Sequence, residues 1–156
     1  MKNGTKLLII FFAVILFTTI PSYSSDKKVI LNTTSTWDNT EYKKIKIKKP
    51  EVTVLKITID VGEALPMHKH DLVNIAYVKK GTLTVFTDDD KEITLHEGDC
   101  LSEVIGKYHY GKNTGDETVE LIVFYFGEKG TPLSVDKWFC INFVLKLEWE
   151  NKKINS

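Results

Sequence analysis

The sequence predicts an all-β protein with a single domain. The chain has 156 residues, of which 42% are hydrophobic, and this is the size of one ordinary globular domain. After the first two dozen residues, runs rich in β-branched and aromatic residues recur roughly every ten residues between turn-forming residues. No long apolar period of about 3.6 residues, which would mark an amphipathic helix, is visible there. Together these observations favour a β-sandwich or a small β-barrel.

The first predicted strand covers residues 51–60, where Leu55, Ile57 and Ile59 share one face and Val52 and Val54 the other. A lysine-rich run precedes it, in which isoleucines alternate with lysines, and we interpret it as an edge strand protected by charge. This edge strand is predicted at 43–49, and further strands are predicted at 74–78, 83–87, 92–96 and 119–126.

The first 24 residues are predicted to be a secretory signal peptide. Lys2 and Lys6 precede an apolar stretch at 7–20, and small residues before position 25 suit cleavage after Ser24. The apolar stretch is 14 residues long, whereas a membrane-spanning helix needs about 20. We therefore expect an exported protein, periplasmic or secreted, with no stable membrane insertion after signal removal. An uncleaved membrane anchor is the alternative.

The charge composition argues against several classes of partner. The 21 basic residues are all lysine, and 21 acidic residues balance them to a formal net charge of zero. Without a basic excess we expect no binding to nucleic acid. Without arginine there is no guanidinium fork to clamp a carboxylate, which argues against an enzyme that uses a 2-oxo acid cosubstrate.

Two features near the C-terminus leave alternatives open. In an oxidising compartment Cys100 and Cys140 could form a disulfide, although we favour two separately buried thiols. Residues 136–156 form an amphipathic extension of unknown role, in which apolar side chains occupy the odd positions of 139–149. This extension could add to the barrel, pair with a second subunit in a homodimer, or be a loosely held tail.

Two of the four histidines form the pair His68-x-His70. Residues i and i+2 of a strand project from one face, about 7 Å apart, so both rings could bind one metal ion if another strand supplies further ligands. His109 lies on a later predicted strand, and Asn74 has the same parity as the pair. Two solvated surface imidazoles are the alternative. His96 precedes a turn and is predicted to lie on the surface.

The residues around these histidines form two blocks with regular spacing. The first is Gly62, five residues, His68-x-His70, three residues, Asn74, six residues and Gly81; the second is Gly98, five residues, Val104-x-Gly106, two residues, His109, three residues and Asn113. The blocks resemble the two motifs of the cupin superfamily, with Asn74 in place of its glutamate and Val104 in place of its proline. The resemblance covers roughly residues 27–135, and the sequence around the motifs is similar to that of small exported single-domain cupins.

The resemblance implies a double-stranded β-helix, or jelly-roll, cupin barrel over residues 25–135. It also implies that His68, His70 and His109 bind one divalent transition metal, with Asn74 at the usual carboxylate position. Imidazole is a good ligand for several such ions, so iron, manganese, nickel, copper and zinc all remain open. Among nearby acids, Asp71 is predicted to face away from the histidines, and Glu63 and Glu103 are predicted to lie farther off.

The resemblance leaves the reaction open, because one fold supports many activities. The first interpretation is a metal-dependent dioxygenase that acts on a small hydroxylated or carbonyl compound held in the barrel. The second is a non-catalytic binding or sensor module for a small molecule, and the third is a metal-free barrel. No catalytic residue is assigned from the sequence.

Overall fold

The computed structural model describes residues 26–138, which form nine β-strands. Their bounds are β1 (Pro50–Ile59), β2 (His68–Lys69), β3 (Val73–Lys80), β4 (Leu83–Thr87), β5 (Glu92–Leu95), β6 (Cys100–Ser102), β7 (His109–Asn113), β8 (Val119–Glu128) and β9 (Val135–Asp136). These strands confirm the all-β prediction. No helix in the described part of the chain is long and apolar enough to cross a bilayer.

The strands form two antiparallel sheets. One has the order β1-β8-β3-β6, and the other has the order β5-β4-β7-β2-β9. Apolar side chains from both sheets meet in a single buried core, which includes Ala76, Val78 and Val123 from the first sheet and Leu83 and Val85 from the second. Burial of these side chains is the main driving force for folding, since a valine or leucine side chain that leaves water contributes about 1.5–3 kcal/mol.

The alternation predicted for residues 51–60 is confirmed in β1. Leu55, Ile57 and Ile59 face the core, whereas the side chains of Val52 and Val54 are 64% and 51% exposed. β1 lies at the edge of its sheet and pairs with β8 along its whole length. The same alternation directs the core-facing residues Leu55 and Ile57 into the cavity described below.

The prediction of an edge strand at residues 43–49 is wrong, because the structure has no strand there. The backbone N–H groups of Lys48 and Lys49 donate hydrogen bonds to the two carboxylate oxygens of Glu128, at 2.7 and 3.0 Å. A side chain thus satisfies donors that a strand would offer to a neighbouring strand. Regular pairing begins only at Pro50.

Several expectations concern residues outside the described range. The signal peptide at 1–24, Cys140 and residues 139–156 of the extension all lie there. Cys100 is half-buried at the start of β6. At the described end of the chain, Val135 and Asp136 form β9 and pair with Lys69 and His68 of β2, so the sheet continues through Asp136.

A glycine at the turn between β3 and β4 gives a stability prediction. Gly81 has φ +84°, and a Cβ added there would lie 3.0 Å from Val119 Cγ2 and 3.1 Å from the carbonyl oxygen of Thr118. We expect Gly81→Ala to lower the free energy of unfolding by about 2–4 kcal/mol, since it combines left-handed strain with a backbone clash. Urea denaturation of the metal-free protein measures this.

The matched control for that substitution is Gly62→Ala. Gly62 has a similar φ of +78°, but a Cβ there would meet no atom within 4 Å. Only the conformational cost of about 1–2 kcal/mol then applies. Equal losses of stability in the two variants would show that the contact with Val119 has no effect.

Candidate metal centre

Three histidines meet around the short strand β2, which lies between β7 and β9 in the second sheet. His68 of β2 lies directly opposite His109 of β7 in the antiparallel register. His70 follows β2 and is held by a bridge to Ile105, in which the N–H of Gly106 donates to the carbonyl of His70 at 2.7 Å. The predicted convergence of the His68-x-His70 pair with a histidine from a later strand is therefore confirmed.

The three rings are arranged around one point. Their centroids are 4.7 Å apart for His68 and His70, 4.7 Å for His68 and His109, and 4.9 Å for His70 and His109. One ligand atom from each ring lies within 4.8 Å of the others. The Nε2 atoms of His68 and His70 are 3.2 Å apart. Two nitrogens that bind one zinc ion at about 2.0–2.1 Å lie about 3.0–3.4 Å apart, so this spacing suits a shared ion.

Backbone carbonyls fix the orientation of all three rings. The Nδ1 atoms of His68, His70 and His109 contact the carbonyl oxygens of Pro66, Leu133 and Lys107 at 2.6, 2.5 and 3.0 Å. In each pair the Nδ1–H donates to the carbonyl, which leaves Nε2 deprotonated with its lone pair available. Metal-binding histidines in proteins are commonly oriented in this way.

Burial keeps these imidazoles neutral. Desolvation is the main cause that lowers the pKa of each histidine, and for His70 it lowers the pKa to about 4, helped by the neighbouring rings of His109 and His68. Near neutral pH the three Nε2 atoms therefore carry lone pairs rather than protons. A set of neutral imidazoles is the form that binds transition metals.

Asn74 lies beside this cluster, on β3, and its side chain is buried. It lines the same cavity as the histidines, and its Oδ1 has no hydrogen-bond partner among the described residues. Tyr125 of β8 is also close, since its ring is 5.5 Å from that of His70. Burial raises the pKa of Tyr125, an effect reinforced by Glu103 and opposed by a hydrogen bond from Asn74.

Glu103 lies beside the histidines, which corrects the expectation that it is farther off. Its side chain is buried, and its Oε2 lies 3.6 Å from Nε2 of His109. Oε2 has no hydrogen-bond partner among the described residues. Burial raises the pKa of this carboxyl to about 7, against the smaller opposing effects of His68, the Val104 backbone and Trp37. Glu103 thus belongs to the site.

Asp71, Glu63 and the fourth histidine, His96, lie outside the histidine cluster, as predicted. Asp71 is exposed and forms an ion pair with Lys69 at 3.4 Å. Glu63 is exposed and does not line the cavity. His96 is exposed, and its Nδ1 is 3.3 Å from Thr82 Oγ1, outside the cluster.

Glu103 could have been noticed in the sequence from its neighbours. It stands in the segment Leu101–Gly106, which contains no lysine, although lysines are frequent in most other parts of the chain. An acid among apolar and small residues with no adjacent cation is unusual on a surface and indicates burial. The distance to His109 depends on strand pairing and was not predictable.

The histidines open into a cavity of about 400 Å³ between the two sheets. Its walls are mostly apolar, and its polar groups are concentrated around the histidines, Asn74, Glu103 and Tyr125. The exposed residues Pro66, Ser134 and Asp136 are at its entrance. The apolar side chains that form the walls include Leu55, Ile57, Leu83, Val85, Leu121 and Val123. This volume falls in the range of small-molecule sites.

Comparisons with known proteins agree with this architecture. The family model described as a Cupin domain matches residues 55–125. No protein in a curated set matches the sequence significantly.

Several solved structures are similar to this chain. The polyketide cyclase RemF from Streptomyces resistomycificus is 16% identical with a TM-score of 0.47, and the match covers 55% of this chain and 60% of that one. A Cupin 2 conserved barrel domain protein from Salinispora arenicola is 19% identical with a TM-score of 0.44, and the match covers 47% of this chain and 61% of that one. The DMSP lyase DddQ from Ruegeria pomeroyi is 20% identical with a TM-score of 0.49, and the match covers 56% of this chain and 43% of that one. The chain thus spans less than two thirds of each of these proteins.

The family match includes His68, His70 and His109, and the two-sheet barrel brings both spaced blocks to one site. Residues 55–125 of the chain match the cupin domain family.

Proposed function

We propose that this protein is an exported small cupin that binds one divalent transition metal through His68, His70 and His109 and a small-molecule ligand in the barrel. The observation that carries the proposal is the orientation of the three rings. Each Nδ1–H is used by a backbone carbonyl, so three deprotonated Nε2 atoms face one point. Export rests on the signal-like sequence of residues 1–24.

The lining of the cavity limits the class of ligand. None of the described residues that line it is a lysine, so this part of the chain offers no cation for a ligand's remote carboxylate or phosphate. The unpartnered Oδ1 of Asn74 is an acceptor that suits a ligand hydroxyl, and the apolar walls suit a hydrocarbon or aromatic body. These features favour a small hydroxylated or carbonyl compound.

A bound ion would polarise an oxygen donor of the ligand and, if it were iron or copper, would support chemistry with dioxygen. The protein's part is to bind and orient. Carbonyls of Pro66, Leu133 and Lys107 hold the rings in place, and apolar walls such as Leu121 and Val123 exclude water from the ligand. The proposed activity is a metal-dependent dioxygenation of the bound compound.

A second candidate is a non-catalytic binding or sensor module that uses the same metal. The neutral side chain at position 74 favours it, because no carboxylate is available at that position to act as a base. Both candidates need the ion and the ligand, and they differ only in whether the ligand is changed.

Metal analysis tests what both candidates share. The full-length protein, recovered from the compartment to which its host exports it, should contain close to one divalent transition-metal ion per chain. An exported fraction that has lost residues 1–24 would support the signal peptide. Protein that holds no ion, and takes up none on incubation with zinc, iron or copper salts, would contradict the proposal.

Oxygen uptake separates the two candidates. Iron- and copper-loaded protein should consume dioxygen with at least one compound of a phenolic and dicarbonyl panel, at a rate well above that of the free ion. A compound that binds in stoichiometric amount without oxygen uptake would support the binding module instead.

A further inference from the structure

Glu103 has a buried side-chain carboxyl group, one oxygen of which the described residues leave without a hydrogen-bond partner. This atom, Oε2, lies 3.6 Å from Nε2 of His109. Buried carboxylates in proteins are normally paired with a cation, hydrogen-bonded or bound to a metal. None of the residues that line the cavity is a lysine. Among residues 26–138, no lysine is placed to compensate a charge on Glu103.

Strand pairing places Glu103 at the histidine cluster. Ile75 of β3 pairs with Ser102 of β6, so Asn74 and Glu103 are opposite each other at the next position, and the N–H of Glu103 donates to the carbonyl of Asn74 at 2.9 Å. Cross-strand neighbours have Cβ atoms about 4.5–5.5 Å apart. Both side chains are buried and line the same cavity, so either position can direct a side chain toward the rings.

The distance also suits a shared ion. An oxygen ligand at about 2.0–2.2 Å and a nitrogen ligand at about 2.0–2.1 Å from one zinc ion lie roughly 3.0–3.5 Å apart. The observed 3.6 Å between Glu103 Oε2 and His109 Nε2 is close to that value, so a small side-chain movement completes the geometry.

We propose that Glu103 is the fourth protein ligand of the metal, completing a site of three imidazole nitrogens and one carboxylate oxygen. This inference rests on the proposed three-histidine site. It assigns to β6 the anionic ligand that Asn74 of β3 does not supply. Coordination by Glu103 lowers the net charge of a divalent ion and its protein ligands from +2 to +1. It also gives the buried carboxylate a cation as its partner.

The test compares ion affinity and ligand-field spectra of full-length variants loaded with Co²⁺. Glu103→Gln keeps the shape of the side chain and removes its charge, so it should retain one ion per chain, bind it at least 10-fold more weakly and change the visible absorption of the bound Co²⁺. The matched control is Glu63→Gln, which removes an exposed carboxylate that does not line the cavity. It should leave the spectrum unchanged and the affinity within about 3-fold of the wild type.

A relocation variant adds a result that a merely structural role of Glu103 would not give. The double variant Asn74→Glu/Glu103→Gln returns a carboxylate to the opposite strand and should recover most of the lost affinity. If wild type and Glu103→Gln bind Co²⁺ with equal affinity and identical spectra, the role of Glu103 is overturned and the three-histidine site stands. If the wild type binds no ion, the three-histidine site itself fails.

Discussion

Replacement of His70 by alanine is expected to abolish stoichiometric binding of the ion, with a loss of affinity of at least 100-fold. His70 is buried, its Nδ1 is held by the carbonyl of Leu133, and its Nε2 is one of the three atoms that face the common point. A site with one fewer ring retains neither the ligand number nor the geometry that the ion needs. Isothermal titration with Zn²⁺, together with elemental analysis, measures the change.

The loss should also appear as a loss of thermal stabilisation by the ion. A ligand at 100 times its dissociation constant stabilises the folded state by about 2.7 kcal/mol, which raises the melting temperature of a domain of this size by on the order of 10 °C. Wild type should show this rise with Zn²⁺ and lose it with a chelator, whereas His70→Ala should show none.

His96→Ala is the matched control, because it removes the one histidine that lies on the surface outside the cluster. It should bind one ion and show the full rise in melting temperature. Circular dichroism confirms that both variants retain the sheet structure. A His70→Ala protein that is folded and still binds one ion with wild-type affinity would disprove the assignment of the ligands.

The second large effect concerns the pH dependence of stability of the metal-free protein. Burial raises the pKa of Glu103 from about 4.5 to about 7. Between these values the folded state binds more protons at this group than the unfolded state, so the free energy of unfolding falls as the pH rises. Glu103→Gln cannot ionise and should not show this loss.

At pH 5 the metal-free variant Glu103→Gln and the wild type should therefore agree in stability within about 1 kcal/mol. At pH 8 the variant should be more stable by roughly 2–4 kcal/mol, since each pKa unit corresponds to about 1.4 kcal/mol. The lowered pKa values of the three histidines destabilise both proteins below pH 6.5, so their effect largely cancels in the comparison. Urea denaturation at both pH values in the presence of a chelator measures the difference.

Glu63→Gln is the control for that comparison, because Glu63 is exposed and outside the cavity. Its stability should follow that of the wild type at both pH values. Parallel curves for Glu103→Gln and the wild type would mean that Glu103 is not buried as the structure has it. If both this prediction and the affinity loss hold, Glu103 lowers the stability of the empty barrel and strengthens metal binding, a trade-off common at functional sites.

The sequence was sufficient to predict the strands in which core-facing and outward-facing side chains alternate regularly. In β1, one parity carries Leu55, Ile57 and Ile59, and a strand with that pattern has only one face that can pack on a core. The lysine-rich segment 43–49 shows where such patterns fail. Its alternation is equally regular, but the carboxylate of Glu128 satisfies the N–H groups of Lys48 and Lys49, and an acid some 80 residues away cannot be identified from local periodicity.

For the site, the sequence predicted the three imidazoles through the resemblance of its two spaced blocks to the cupin motifs, and the structure brings their rings together. His68 and His70 share a face through the two-residue repeat of a strand, and the second block carries His109 at a defined distance from its glycines. Only the tertiary structure decided that Glu103 joins them. Its place depends on the pairing of Ile75 with Ser102, a register set by packing between distant segments. Contacts within one strand follow from the chain's periodicity, whereas contacts across strands depend on how the whole sheet closes.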